Sequence, residues 1–251
     1  MSAKKLMKAR QHQIAEKNAL IAVQHVIREV CAMRNVRIWF TKEYECKYIS
    51  HLDLNRCMLR AVRRAQLPIW YTEGFNPHPF VTFPLPISLG IDGKRECMDI
   101  RIVDDNYDIS LIPTAMNPYL PRGIKVFDAT FPKFDPKYIA FAKFYAEIEI
   151  DDLDANEIEN ELLKIQKLDS LIIQKKSKAG MKDIDVLPYV QSFEFLSKED
   201  ACSFYVTLPA GNTKNIGLPL LIKAIENHLD KEINYKIVKL DMYTENMTPF
   251  E

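Results

Sequence analysis

Apolar and polar positions alternate along several short stretches of the chain and recur at helical spacing in others. Val36-Arg-Ile-Trp-Phe40 alternates and is rich in β-formers, so it reads as a strand. Ser50 then stands as a helix N-cap, with Asp53 in the capping-box position but shorter than the usual Glu or Gln. Beyond it Leu54, Met58, Ala61, Val62 and Ala65 share one helical face, and Leu67-Pro68 stops the helix near Gln66. Ile69-Trp-Tyr71 is a short strand. Residues 80–83 and 87–91 read as extended, interrupted by Pro84 and Pro86. A strand over 96–103, a short helix over 108–116 and a strand over 124–131 complete the series. The order strand, helix, strand, strand, helix, strand is the split β-α-β ferredoxin-like pattern.

After Asp135-Pro136 the pattern repeats. A strand is predicted over 141–150, and a helix over 156–168 with Ile158, Leu162, Leu163 and Ile165 on its apolar side. A strand over 170–176, an extended stretch over 184–194 and a strand over 202–208 follow. The series ends in a helix over 218–229 and a last strand over 235–243. Residues 3–33 contain neither Pro nor Gly and carry an apolar stripe through Ile14, Leu20, Ile21, Val23, Val26, Ile27 and Val30, which predicts one long helix or two in series. The expected architecture is therefore α+β. A basic helical extension (1–34) precedes two ferredoxin-like halves in tandem (35–134 and 137–251), each burying one sheet face under two helices.

Composition narrows the function classes. The 251 residues suffice for one large domain or two ordinary ones, and no apolar run approaches the about 18–20 residues a membrane helix needs. The start is basic without the apolar core of a signal peptide, so a cytoplasmic protein is expected. Cys31, Cys46, Cys57, Cys97 and Cys202 are scattered singly, a spacing that builds neither a zinc ribbon nor a self-contained iron–sulfur cluster. They are expected to be reduced, buried or half-buried thiols. Net charge is zero, but residues 1–34 hold seven Lys/Arg against two Glu, and residues 147–161 are strongly acidic. The sequence contains no P-loop, G-x-G-x-x-G, H-E-x-x-H or G-x-S-x-G motif.

Two segments concentrate polar chemistry. In Thr72-Glu-Gly-Phe-Asn-Pro-His-Pro79, Gly74 opens positive φ, and the two prolines push Asn76 and His78 toward extended conformations. This reads as a stiff loop presenting Glu73, Phe75, Asn76 and His78. The ring suits base stacking, the amide a base edge, and Glu73 with His78 an acid–base pair. A loop satisfying its own backbone is the plain alternative. The second segment is the start of the Ser50 helix, where Ser50, His51 and Asp53 either bind a ligand or merely cap and pack. Spacing gives no support for a metal held by the two histidines. Arg56, Arg60, Arg63 and Arg64 share a helical face suited to phosphate, and Lys175, Lys176, Lys178 and Lys182 surround an expected hairpin tip at Gly180. For both basic groups a solvated surface is the plain alternative.

A family resemblance joins these segments. Phe40-Thr-Lys, Tyr48-Ile-Ser-His-Leu-Asp-Leu54, Arg60-Ala-Val-Arg-Arg-Ala-Gln-Leu-Pro68, Tyr71-Thr-Glu-Gly-Phe-Asn-Pro-His-Pro79 and Leu85-Pro-Ile-Ser-Leu-Gly90 stand in the order of the radical SAM-linked protein family, described by the DUF2344 domain. The basic turn and acidic strand of Lys176-Ser-Lys-Ala-Gly-Met-Lys-Asp-Ile-Asp-Val-Leu-Pro-Tyr189 resemble its second block. The likeness spans residues 35–245. It implies a separate radical S-adenosylmethionine protein as partner, because members are often fused to or encoded beside one. It also implies a setting near ribosomal-protein and ribonuclease genes. The extension 1–34 departs from the family core, and Phe80 stands where the family has Lys or Arg, which weakens a phosphate role there.

The expected function is a non-catalytic accessory module that partners the radical SAM protein and acts on RNA or a ribosomal component, with no cofactor, metal or catalytic residue of its own. A pure protein-interaction scaffold docking through 1–34 is one alternative. The other is an endoribonuclease-like enzyme using His51 or His78 as general acid–base, by analogy with CRISPR repeat-processing nucleases. Their glycine-rich loops are missing here, with only seven Gly in the chain.

Overall fold

The computed structural model describes residues 33–177, 180–196, 201–211 and 214–251. The expected helical extension thus lies outside the described residues apart from Met33 and Arg34. The chain forms β1 (Arg34–Lys42), a 3-10 turn (Tyr44–Tyr48), α1 (His51–Arg64), β2 (Val81–Thr82) and β3 (Asp92–Ile102). It continues through α2 (Ile112–Met116), β4 (Ile124–Thr130), β5 (Phe141–Ile150), α3 (Ala155–Ile165), β6 (Ile172–Ser177) and β7 (Gly180–Asp185). Last come α4 (Leu187–Val190), β8 (Glu194–Leu196), β9 (Cys202–Pro209), α5 (Leu218–Leu229) and β10 (Ile233–Tyr243). The result is a mixed α+β fold built on one large mixed sheet.

Strand order in that sheet is β4-β1-β3-β10-β5-β9-β8, with β2 also on β3. Its two antiparallel parts meet at a short parallel seam, where Val238 pairs with Asp92 and Lys239 with Gly93. Strand β3 has β1 along one edge. Its other edge is shared by β10 at the start and β2 further on, at Ile100 and Asp99. The strands assigned to the two expected halves therefore lie in one continuous sheet. Period-2 patterning specifies which faces are buried, but it does not say which edges meet.

Alternation decides the core. Val36, Ile38 and Phe40 of β1 pack with Met98, Ile100 and Ile102 of β3 against Leu54, Met58, Ala61 and Val62 of α1. Each large side chain buried there contributes about 1.5–3 kcal/mol. A second cluster joins β5 and β9 to α3, α4 and α5, and it also takes in Ile87 and Ile91. The extended 87–91 segment is thus a packed crossing rather than a strand, and its apolar residues reach the neighbouring core. On the opposite face Trp39 and Cys97 meet Ile139, Met242 and Phe250. The 244–251 segment folds back there: Phe250 N donates to the Met242 carbonyl at 2.9 Å, and the N–H groups of Lys133 and Phe134 donate to the Glu251 carbonyl. Phe250 covers the guanidinium of Arg37 at 4.2 Å, and that buried arginine forks onto Asp99 at 2.7 and 2.9 Å.

Two local expectations are corrected. Ile69-Trp-Tyr71 forms only isolated bridges, from Ile69 to Ile102 and from Tyr71 to Pro79. Pro79 has no N–H with which to extend a ladder. The 184–194 stretch is broken by α4, because Pro188 sits in its first turn and Asp185 accepts the Leu187 N–H at 3.0 Å. Cys46, Cys97 and Cys202 are buried and Cys57 is half-buried, all as free thiols, while Cys31 lies outside the described residues. Burial pushes the Cys202 thiol up to about 12, and Cys97 is also raised. Among the described residues no helix is long and apolar enough to cross a membrane.

Candidate functional site

The start of α1 is a cap with a local network. Ser50 is extended (φ −65°, ψ 160°), and its Oγ accepts the Asp53 N–H at 3.1 Å while donating to Asp53 Oδ2 at 2.7 Å. Asp53 cannot reach back to the N-cap backbone as a Glu would, so it takes the cap's hydroxyl proton instead. The Ser50 hydroxyl, with help from Arg56, holds the Asp53 carboxyl below its usual range. His51 is exposed at the first helical position, with its ring edge-on to Phe83 at 5.0 Å.

The loop over 72–79 is held by its own atoms. Thr72 N donates to the His78 carbonyl at 2.9 Å, and His78 N donates to Thr72 Oγ1 at 3.2 Å. The Nδ1 of His78 lies 3.0 Å from Thr72 Oγ1 and 3.1 Å from the Asn76 carbonyl. Gly74 sits at φ +128°, a region that side chains disfavour. His78 thus serves the loop's own rigidity through one ring nitrogen. Among the described residues no hydrogen bond, ion pair or ring contact joins it to His51 or to Glu73. Glu73 and Asn76 are exposed, and Phe75 is fully so at 105%. An unburied phenylalanine on a braced loop is the most complete exposure of a large apolar side chain among the described residues.

The basic residues divide. Arg56, Arg60, Arg63 and Arg64 all face solvent, and Arg56 is tied to Asp53 at 3.2 Å. The other three carry no ion pair among the described residues. On the β6–β7 hairpin Lys175 stands opposite Lys182, and Lys175 Nζ donates to the Asn215 carbonyl at 2.7 Å. The backbone of Lys176 pairs with Met181, and Lys178 lies outside the described residues. Among the described residues no hydrogen bond or ion pair brings the hairpin to α1 or to the loop.

A further group went unread in the sequence. Lys42, Asp92, Glu96 and Lys239 are all buried where β1, β3 and β10 meet. Lys239 Nζ lies 2.9 Å from Glu96 Oε2, and Lys47 Nζ lies 3.6 Å from Asp92 Oδ2. Lys42 Nζ donates to the Lys47 carbonyl at 3.1 Å, and the Gly90 N–H donates to that same oxygen at 2.9 Å. Three of the sequence segments singled out above converge on this one carbonyl: Phe40-Thr-Lys, the turn into Ser50-His51, and Leu85-Pro-Ile-Ser-Leu-Gly90. Burial lowers the Lys42 ammonium's pKa, against the opposing pull of Glu96, Cys46 and Asp92. Asp92 Oδ1 and Glu96 Oε1 are buried without a hydrogen-bond partner among the described residues. Gly93 makes room for this group, because a Cβ there would lie 2.7 Å from Glu96 Cγ. One signal was legible. Glu96 shares the period-2 register of Met98, Ile100 and Ile102, which places a carboxylate on the apolar face of β3.

No group of three or more His, Cys, Asp or Glu among the described residues is arranged to hold a metal ion. Comparison with known proteins places this geometry in context. The family described as uncharacterized protein conserved in bacteria (DUF2344) matches residues 35–217. No curated protein is significantly similar to the chain. A solved structure of an unknown protein from Galdieria sulphuraria is 10% identical, covers 82% of this chain and 99% of its own, and superposes with a TM-score of 0.25. A putative glycine cleavage system transcriptional repressor is 12% identical over 83% of this chain and 99% of its own, with a TM-score of 0.22.

Proposed function

The chain belongs to the DUF2344 family of uncharacterized bacterial proteins, and from that premise we propose that it is a non-catalytic binding module for RNA or a ribosomal RNA component. It works beside a radical S-adenosylmethionine protein supplied as a separate chain, in the cytoplasm. The observation that carries this reading is Phe75: a fully exposed ring on a loop braced by Thr72 and His78. A stiff aromatic tip stacks on an unpaired base with little loss of its own freedom, which is how proteins take hold of single strands. The guanidinium groups of Arg60, Arg63 and Arg64, which carry no ion pair among the described residues, add phosphate contacts on α1. Neither histidine is set against a carboxylate among the described residues, so the acid–base reading has less support than the recognition one.

The fold supports the same reading at a finer level. The orders β4-β1-β3-β2 and β10-β5-β9-β8 each place the first strand of a half between its last and third, as two ferredoxin-like halves fused edge to edge would do. One observation favours a protein contact in addition to RNA. Tyr48, Leu52 and Leu89 are exposed near the Lys47–Ser50 turn, and apolar side chains left uncovered there suit the docking of a protein partner.

Fluorescence anisotropy with a labelled single-stranded RNA tests the RNA reading. Wild type binds with an affinity that falls steeply with salt, and Phe75→Ala weakens it by about tenfold while leaving stability within about 0.5 kcal/mol. The paired change Arg60→Ser/Arg63→Ser lowers the salt slope by about 1.4. Absence of any salt-sensitive binding at low salt, or an unchanged affinity in Phe75→Ala, overturns the reading.

A further inference from the structure

We propose that Lys42, backed by Glu96, is a positioning residue of the recognition surface. It fixes the Lys47 carbonyl, and through it the turn that delivers Ser50 and His51 to the start of α1. What that surface does rests on the reading above; what Lys42 does to it does not.

A buried ammonium gives up its hydration, and an apolar side chain of similar length is usually tolerated at least as well in such a place. Lys42 is 1% exposed, and its Nζ has a hydrogen bond to the Lys47 carbonyl. That oxygen does not need Lys42 to be satisfied, because the Gly90 N–H already donates to it at 2.9 Å. The second donor therefore adds direction rather than satisfaction. Two donors arriving from separate segments hold one carbonyl in one orientation, and Lys47 itself is tethered to Asp92 at 3.6 Å.

The anchor is stiff. Lys42 closes β1 just after the ladder to β3 shifts register, and it is buried there. Glu96, whose charge acts on Lys42, is itself locked to Lys239 of β10 at 2.9 Å. The turn therefore takes its position from both parts of the sheet at their junction. Downstream, Ile49 N donates to the Cys46 carbonyl at 3.2 Å, Ser50 caps α1, and His51 meets Phe83 edge-on at 5.0 Å. A change at Lys42 should travel along this short path into α1, the helix whose arginines the RNA reading uses, and leave the far strands of the sheet unmoved.

The test is Lys42→Met in the full chain, read by amide hydrogen exchange, by the His51 ring proton shifts and by RNA anisotropy. The Gly90 and Ile49 amides are expected to exchange at least about tenfold faster. Ala146 and Val206, in strands β5 and β9, keep their rates. The His51 ring protons move as the Phe83 ring shifts relative to them. RNA affinity falls with an unchanged salt slope, because no phosphate contact is lost. Wild-type exchange at Gly90 and Ile49 together with wild-type His51 shifts overturns the proposal. So does faster exchange that is as large at Ala146 and Val206, which marks a general structural role. Should Lys42→Met fail to fold, Lys42→Gln takes its place, because its shorter side chain keeps a polar head in the buried site but does not span the same distance to the Lys47 carbonyl, and the same readouts decide. Local loosening in a protein that binds no RNA upholds the positioning role and removes the recognition reading instead.

Discussion

The loop around Phe75 and the seam around Lys42 are built from similar polar residues, yet they handle them in opposite ways. In the loop the polar groups satisfy one another at short sequence separation, Thr72 with His78 and His78 with Asn76, and the remaining side chains face water. In the seam Glu96 and Lys239 are far apart in sequence, and their pair is shut away from water. A loop closed on itself can lose a presented side chain without structural consequence. A buried charge group cannot, because each member is held by the others. The comparison therefore separates residues that present chemistry from residues that hold the presenting surface in place.

The comparison breaks most readily at Glu96. Glu96→Ala strands Lys239 and removes a carboxylate whose charge favours the Lys42 ammonium, so a loss of about 3–5 kcal/mol is expected in urea unfolding. A loss below about 1 kcal/mol would mean that the seam charges are not interdependent. Gly93→Ala comes next. Its methyl group falls on the Glu96 side chain, and overpacking of this kind costs about 1–3 kcal/mol in the same assay, without any change of charge.

Ser50→Ala has the smallest expected effect and sharpens the other side of the comparison. Loss of the cap costs about 1 kcal/mol. The Asp53 carboxyl, held low chiefly by the Ser50 hydroxyl, returns toward its ordinary value in an NMR titration. In wild type that depressed pKa adds stability above the unfolded carboxylate value, and the contribution is lost as pH falls through the folded value. The variant should lack this acid-side loss.

Much of the local structure was legible. The α5 helix and strands β1, β4, β5 and β9 follow from alternation and helical spacing, because each buries one face or stripe whose period the side chains record. The Ser50 cap was legible for the same reason: its partner is three residues away. The braced loop was legible from Gly74 and its two prolines, but the turning of His78 onto Thr72 was not. Spacing alone cannot distinguish a presented imidazole from one that closes its own loop. The short helix α4 was missed because an apolar tetrapeptide reads equally well as strand.

The sequence by itself determined which segments become strands and helices, and which residues could cap, stack or carry charge, since those properties act within a few residues. Tertiary structure alone decided that β3 and β10 run side by side. It also decided that Lys42, Asp92, Glu96 and Lys239 are buried together, and that the Gly90 N–H reaches the Lys47 carbonyl from more than forty residues away. The physical reason is range. Hydrophobic periodicity records that a face is buried but not what it is buried against. A buried ion pair is defined by its partner, and for Glu96 that partner lies more than a hundred residues away.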